Sequence, residues 1–326
     1  MRCVVAFWAV LGLASACSSK SDRKPERAAD QIPLGNPLTR RGGPFQQQWA
    51  MNPLWEDGKA EVATYEAERV LYGEPRRFEY TLITVKEEFN RQYNVKTDDY
   101  QRKDVFPVMK VNQFCRIPTP NYPYHFLTSL FFRRDQPVEL HKLTTSSQEW
   151  CGTTFKAITD DGLQYQQTYN SYWDGQGEGR RTLRHDVLFE DALPYTLRSM
   201  RFETLPTVAA RIYELQQTSK APAPHLYEAQ IRVEDGLTAD TPEPAWRVRV
   251  ALTDQKQNVY WFAKTYPNVL LRQTTWDGRN LWLKQVRRYA YWPQSAPAAT
   301  PAAADSHITD SAPDSVAAMP DSVAVR

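Results

Sequence analysis

Histidine and cysteine are both scarce in this chain, at five and four residues in 326. No two of His125, His141, His185, His225 and His307 stand three to five residues apart, the spacing of paired metal ligands, so a structural metal is not expected. No Gly-x-Ser-x-Gly elbow is present, which removes the local signature of a Ser/His/Asp hydrolase. There is no glycine-rich phosphate loop either: Gly175, Gly177 and Gly179 alternate with charges and no helical pattern follows them. Nor does the chain lean to one charge. Between residues 45 and 292 it carries 32 basic and 31 acidic side chains, and pairs such as Arg76-Arg77 and Arg287-Arg288 are scattered among carboxylates. Nucleic acid is therefore not an expected partner, and no cofactor is expected.

What is present begins with the first residues. Arg2 precedes an apolar run, Val4 to Leu13, that is too short to span a bilayer, and Ala14-Ser15-Ala16 supplies the small residues of a cleavage site. Residues 1–16 read as an export signal. Leu13-Ala14-Ser15-Ala16-Cys17 resembles the lipobox of bacterial lipoproteins, with Ala14 where those proteins prefer Leu. The resemblance implies a lipid on Cys17 and a membrane anchor. Residues 17–44 then read as a flexible leash, 45–292 as a globular domain of one body or two lobes, and 293–326 as a disordered tail. That tail is rich in Ala, Pro, Ser and Asp, and Pro-Asp-Ser-Val-Ala occurs in it twice.

The domain reads as mainly β. Asp-Gly dipeptides at 57, 161, 174, 235 and 277 supply the positive φ of tight hairpin turns. Tyr227, Ala229, Ile231 and Val233 alternate with polar residues, as do Trp246, Val248, Val250 and Leu252, so these segments are half-buried strands. Ten to thirteen strands are expected, in an antiparallel, hairpin-rich barrel, half-barrel or two-layer sandwich. One or two short helices are expected, at Glu190 to Met200 and Val208 to Leu215.

Thr144 to Phe155 is expected to be a central strand bent at Gly152, with Trp150 as its inward anchor and Glu149 among its hydroxyls as a candidate site. Cys115 and Cys151, the cysteines left to the domain, are a candidate disulfide in an oxidising compartment, with two free thiols the alternative. Tyr165, Tyr169 and Trp173 fall on one face of a strand, where aromatics either fill a core or line a groove for a sugar or an acyl chain.

Three blocks carry a broader resemblance: Trp55-Glu56-Asp57-Gly58-Lys59-Ala60-Glu61 with Tyr65 and Tyr72-Gly73-Glu74, Thr144 to Gly152, and Asp277-Gly278-Arg279. They are similar to a family of uncharacterised bacterial envelope lipoproteins often labelled "septum formation inhibitor Maf". True Maf proteins are cytoplasmic nucleotide pyrophosphatases with an N-terminal Ser/Ser/Arg-Arg phosphate motif on an α/β fold, and this chain has no such motif. The resemblance implies a lipidated protein of the cell envelope and hands on no catalytic residue; the expected location is the outer membrane, on its periplasmic or surface face. The expected role is a non-catalytic binding or structural module, for a hydrophobic ligand by analogy with half-barrel carriers, with a lipid, a glycan or an envelope protein as partner. The rival is an envelope hydrolase working in an aromatic-lined groove.

Overall fold

In the computed structural model, residue 38 and residues 42–237 and 243–292 are described. The signal, most of the leash, Cys17 and the tail lie outside them. Sixteen strands form one sheet. They are β1 (Ala60–Leu71), β2 (Glu74–Asn90), β3 (Val95–Lys96), β4 (Val105–Ile117), β5 (Tyr124–Arg133), β6 (Leu140–Glu149), β7 (Gly152–Asp160), β8 (Tyr165–Asn170), β9 (Glu178–Leu183), β10 (Leu188–Phe189), β11 (Thr207–Tyr213), β12 (Leu226–Leu237), β13 (Pro244–Ala251), β14 (Gln257–Ala263), β15 (Leu270–Thr274) and β16 (Asn280–Tyr289). One α-helical turn, α1 (Leu193–Thr196), lies between 3₁₀ turns.

The strands follow chain order with one rotation: β10 to β16, then β1 and β2, then β4 to β9, with β3 added beside β2. The first strand is thus joined to the last, Ala60 opposite Tyr289, in mid-sheet. The ladders are antiparallel apart from the short β10–β11 pair. Among the described residues no ladder joins β9 to β10, so the sheet is not closed. It curls nonetheless, because one hydrophobic cluster gathers Leu82 and Leu143 from one wing with Ile231, Val248, Tyr260 and Leu270 from the other. The described domain is one body rather than two lobes. The chain's other compact unit, Ala290–Arg326, is described only at Ala290, Tyr291 and Trp292.

The antiparallel reading holds, and its misses have local causes. Asp161-Gly162, Asp174-Gly175 and Asp277-Gly278 turn the β7–β8, β8–β9 and β15–β16 hairpins, each glycine at positive φ. Asp57-Gly58 instead precedes β1, and Asp235-Gly236 continues inside β12, paired with Trp246 and Ala245. The helix expected at Val208 to Leu215 is β11: its alanines favour helix, but the ladder to β12 decides. Glu190 to Met200 is helical, in single turns, and is the buried segment around which the sheet curls.

That segment packs into the floor of the barrel-like sheet. Tyr195 stacks on Phe132 at 4.6 Å between ring centroids and meets Trp49 edge-on at 5.4 Å. Beside it Arg198, 2 % exposed, donates to both oxygens of Glu61, at 2.7 and 2.9 Å. It also donates to the Pro267 carbonyl at 2.9 Å and lies against the rings of Trp49 and Trp55.

Candidate functional site

Away from that floor, the inward face of the sheet turns polar. Strand alternation aims Gln113 of β4, Thr128 of β5, Thr145 and Ser147 of β6, Thr154 and Lys156 of β7 and Gln167 of β8 into the interior, and all are buried. Buried polar groups need partners. Several of them find partners in a strap, residues 214–225, which links β11 to β12 and crosses this face without entering a ladder. Thr154 donates to the Ser219 carbonyl at 2.8 Å, Gln167 to the Gln216 side chain at 2.9 Å, and Gln217 to the Thr128 hydroxyl at 3.2 Å. Arg181 of β9 donates to the Ala221 carbonyl at 2.9 Å.

Asp191 fixes the strap from the other side. Its two oxygens accept the backbone N–H groups of Gln216 and Gln217, at 2.7 and 3.0 Å. Burial holds its carboxyl above the usual range despite these bonds. Neighbouring Glu190 accepts from Asn258 at 2.9 Å and from Arg279, whose guanidinium also grips Asp277 at 2.8 Å. Burial alone would lower the pKa of Arg279, but these two carboxylates raise it and keep the group charged.

Under the strap lies a cavity of about 360 Å³. Its lining includes buried Lys156 and Tyr227, half-buried Arg69 and Arg279, and, at the surface, Pro222, Pro224 and Trp276. A smaller cavity of about 40 Å³, lined by Tyr80, Gln113, Cys115 and Asp191 among others, also reaches Arg69 and Arg279. Lys156 donates to the Thr218 hydroxyl at 2.9 Å and the Lys220 carbonyl at 2.8 Å. Arg69 donates to the Gln217 carbonyl at 3.2 Å and lies over the Phe126 ring at 5.0 Å. It is half-buried and lines both cavities. Among the described residues, no three His, Cys, Asp or Glu side chains converge as a metal site would require.

The residues singled out from the sequence are dispersed around this site. Thr144 to Phe155 is not one bent strand but the β6–β7 hairpin, with Trp150 and Cys151 as its turn. Trp150 is 79 % exposed, stacked on Tyr122 at 6.0 Å, so it anchors no core. A two-residue turn leaves no layer above it to receive an indole. Glu149 sits at the strand end near Tyr124, and burial raises its carboxyl pKa. The hydroxyls of that stretch divide: Thr145 meets Thr128 across the ladder at 2.7 Å, and Thr154 reaches the strap.

Cys115 and Cys151 are free thiols. Cys115 points inward from β4, whereas Cys151 is exposed and donates to the Tyr122 hydroxyl at 3.1 Å. Strand β5 separates β4 from β6, and two strand spacings of about 4.8 Å exceed the reach of about 7 Å between bridged Cα atoms. The aromatic row also breaks up. Tyr165 is core, stacked on His185 at 5.2 Å; Tyr169 lies under Arg181 at 4.1 Å; Trp173 is in the β8–β9 turn with Lys220 over its ring at 5.3 Å. The latter two flank the strap rather than line a groove with Tyr165.

No family model matches the chain, and no curated protein does. Among solved structures, a β-barrel-like protein of the domain of unknown function DUF1849, from Brucella abortus, aligns over 71 % of this chain and 98 % of its own length. The TM-score is 0.44 and the identity 8 %.

Proposed function

We propose that this chain is a cell-envelope binding module, tethered through a lipid on Cys17, that holds a small molecule in the cavity beneath the 214–225 strap. The observation that carries this reading is the cavity itself: about 360 Å³, with a polar floor already held in place by fixed hydrogen bonds and an aromatic and proline rim. Small-molecule sites are concave and preformed, with a few placed polar groups that orient the ligand. The floor carries charge, so the hydrophobic ligand expected from the sequence becomes an amphipathic one. A hydrolase acting in a groove lined by Tyr165, Tyr169 and Trp173 has less support, because those rings do not share a groove.

Native mass spectrometry of the full-length protein, released from detergent, tests the binding reading. The expected result is a copurified small molecule or a saturable adduct that is lost when the cavity is filled by Leu215→Trp. A protein that travels empty and takes up nothing from an envelope extract would argue for a purely structural role. The tether is tested separately: Cys17→Ala should abolish palmitate labelling and move the protein out of the membrane fraction, and retention through carbonate washing would refute the anchor.

A further inference from the structure

We propose that the cavity under the strap is a carboxylate site, in which Arg69 and Lys156 together hold the single negative charge of a small organic acid. The apolar body of that acid lies against Trp276, Pro222 and Pro224. This rests on the reading of the cavity as a binding site and adds the class of its occupant.

The inference comes from a mismatch in how the lining charges are partnered. Two of the three carboxylates there are ion-paired, Glu190 and Asp277 with Arg279, and the third, Glu214, accepts the neutral His225 N–H at 2.9 Å. Arg69 and Lys156 are engaged only by neutral groups, namely the Gln217 carbonyl, the Phe126 ring, the Thr218 hydroxyl and the Lys220 carbonyl. Neutral oxygens satisfy hydrogen bonds without cancelling charge, and a buried cation with no carboxylate in contact is costly, the more distant Asp191 and Glu214 offsetting only part of that cost for Lys156. Donors remain for a ligand. Lys156 has used two of its three N–H groups, and Arg69 one of its five, so a planar carboxylate can be met by a guanidinium edge and an ammonium together.

The charge count selects the ligand class. Four cations line the cavity (Arg69, Lys156, Lys220 and Arg279) against three carboxylates (Glu190, Glu214 and Asp277), a surplus of one at its wall; Asp191 lies behind it with both oxygens taken up by the Gln216 and Gln217 N–H groups. A carboxylate cancels one charge, whereas a phosphate monoester brings about −1.5 to −2 at neutral pH. The rim fits a body with a flat or branched apolar face, since the Trp276 indole is 45 % exposed beside the two prolines. The unliganded lysine carries the cost in its titration: burial, with Arg181 and Arg69 nearby, brings its pKa down to about 8 against the pull of Asp191 and Glu214.

Calorimetric titration of the full-length protein in detergent separates the outcomes, using phenylacetate, its neutral amide phenylacetamide, and benzylphosphonate. Phenylacetate should bind at least tenfold tighter than the amide, the discrimination of one charge-assisted hydrogen-bonded contact. Lys156→Gln and Arg69→Gln should each erase that preference, the ratio of acid to amide affinity being the readout and the circular dichroism spectrum the check on folding. The preference in the unmodified protein needs no variant, so a variant that fails to fold does not shield the proposal. Equal binding of acid and amide would overturn the carboxylate class and leave the binding site standing. Tighter binding of benzylphosphonate would overturn it in favour of a dianion. If none of the three binds, and none slows amide hydrogen exchange in residues 214–225, both the class and the binding reading fall.

Discussion

Arg198 and the pair Arg69 and Lys156 are cations set into the interior of the same curled sheet, and they are treated in opposite ways. Arg198 meets Glu61 through two parallel hydrogen bonds, caps a backbone carbonyl and lies against the rings of two tryptophans. Arg69 and Lys156 meet hydroxyl and carbonyl oxygens of a strap and border open space. A buried bidentate pair is geometrically complete, so it specifies the fold at the floor. Cations with donors to spare and no carboxylate in contact do not optimise the fold where they sit. The comparison therefore separates scaffold from site within one core, on the criterion of whether the charge is already answered.

The sharpest way to break the comparison is at the closed end. Glu61→Gln leaves Arg198 charged, buried and unanswered, and should cost about 3–5 kcal/mol in chemical denaturation. A loss below about 1 kcal/mol would mean that the floor tolerates an open cation as readily as the cavity does.

At the open end the sign should reverse. Lys156→Met keeps the aliphatic length and removes the unanswered charge, so stability at pH 7 should rise, on the order of 1–3 kcal/mol. The pH dependence follows from the same group. Its folded pKa of about 8 lies below the ordinary 10.5, so between those values the unfolded chain binds the extra proton. The stability of the unmodified protein therefore gains from rising pH across that window, and Lys156→Met should lack that gain. Because the buried tyrosines titrate in both proteins, the difference between their two pH profiles is the measurement. A variant less stable at pH 7, with an unchanged profile, would place Lys156 with the scaffold.

The smallest effect belongs to a residue outside both regions. Trp150→Ala removes an exposed indole and its stack on Tyr122, and thermal denaturation should register no more than about 0.5 kcal/mol. A loss of several kcal/mol would restore it as the anchor that its size first implied.

The ladders were legible because their signal is local. Tyr227, Ala229, Ile231 and Val233 alternate in sequence and are buried in the structure, and Asp161-Gly162 and Asp277-Gly278 turn where turn chemistry says they should. The site was not legible, for two reasons. Lys156 stands in phase with Ile158, and Arg69 in phase with Tyr65 and Ala67, but that phase marks them as inward only once the strand boundaries are known. The hairpin at Trp150-Cys151 was read as a bend, which hid the register of β7. The second reason is the strap: residues 214–225 have no periodicity, and their position depends on Asp191, Gln113 and Thr128, which are distant in sequence.

The rotated strand order has a consequence for how the chain is made. Ribosomes deliver β1 early, yet the partner for one of its edges is β16, the last of the described strands to emerge. Throughout synthesis that edge stays open, with its N–H and C=O groups unmatched beside Val62 and Ala63, an invitation to pair with a neighbouring nascent chain. Nearly complete chains would therefore be the most vulnerable species in a cell: all but one strand in place, and the seam through the middle of the sheet still waiting for its last stitch.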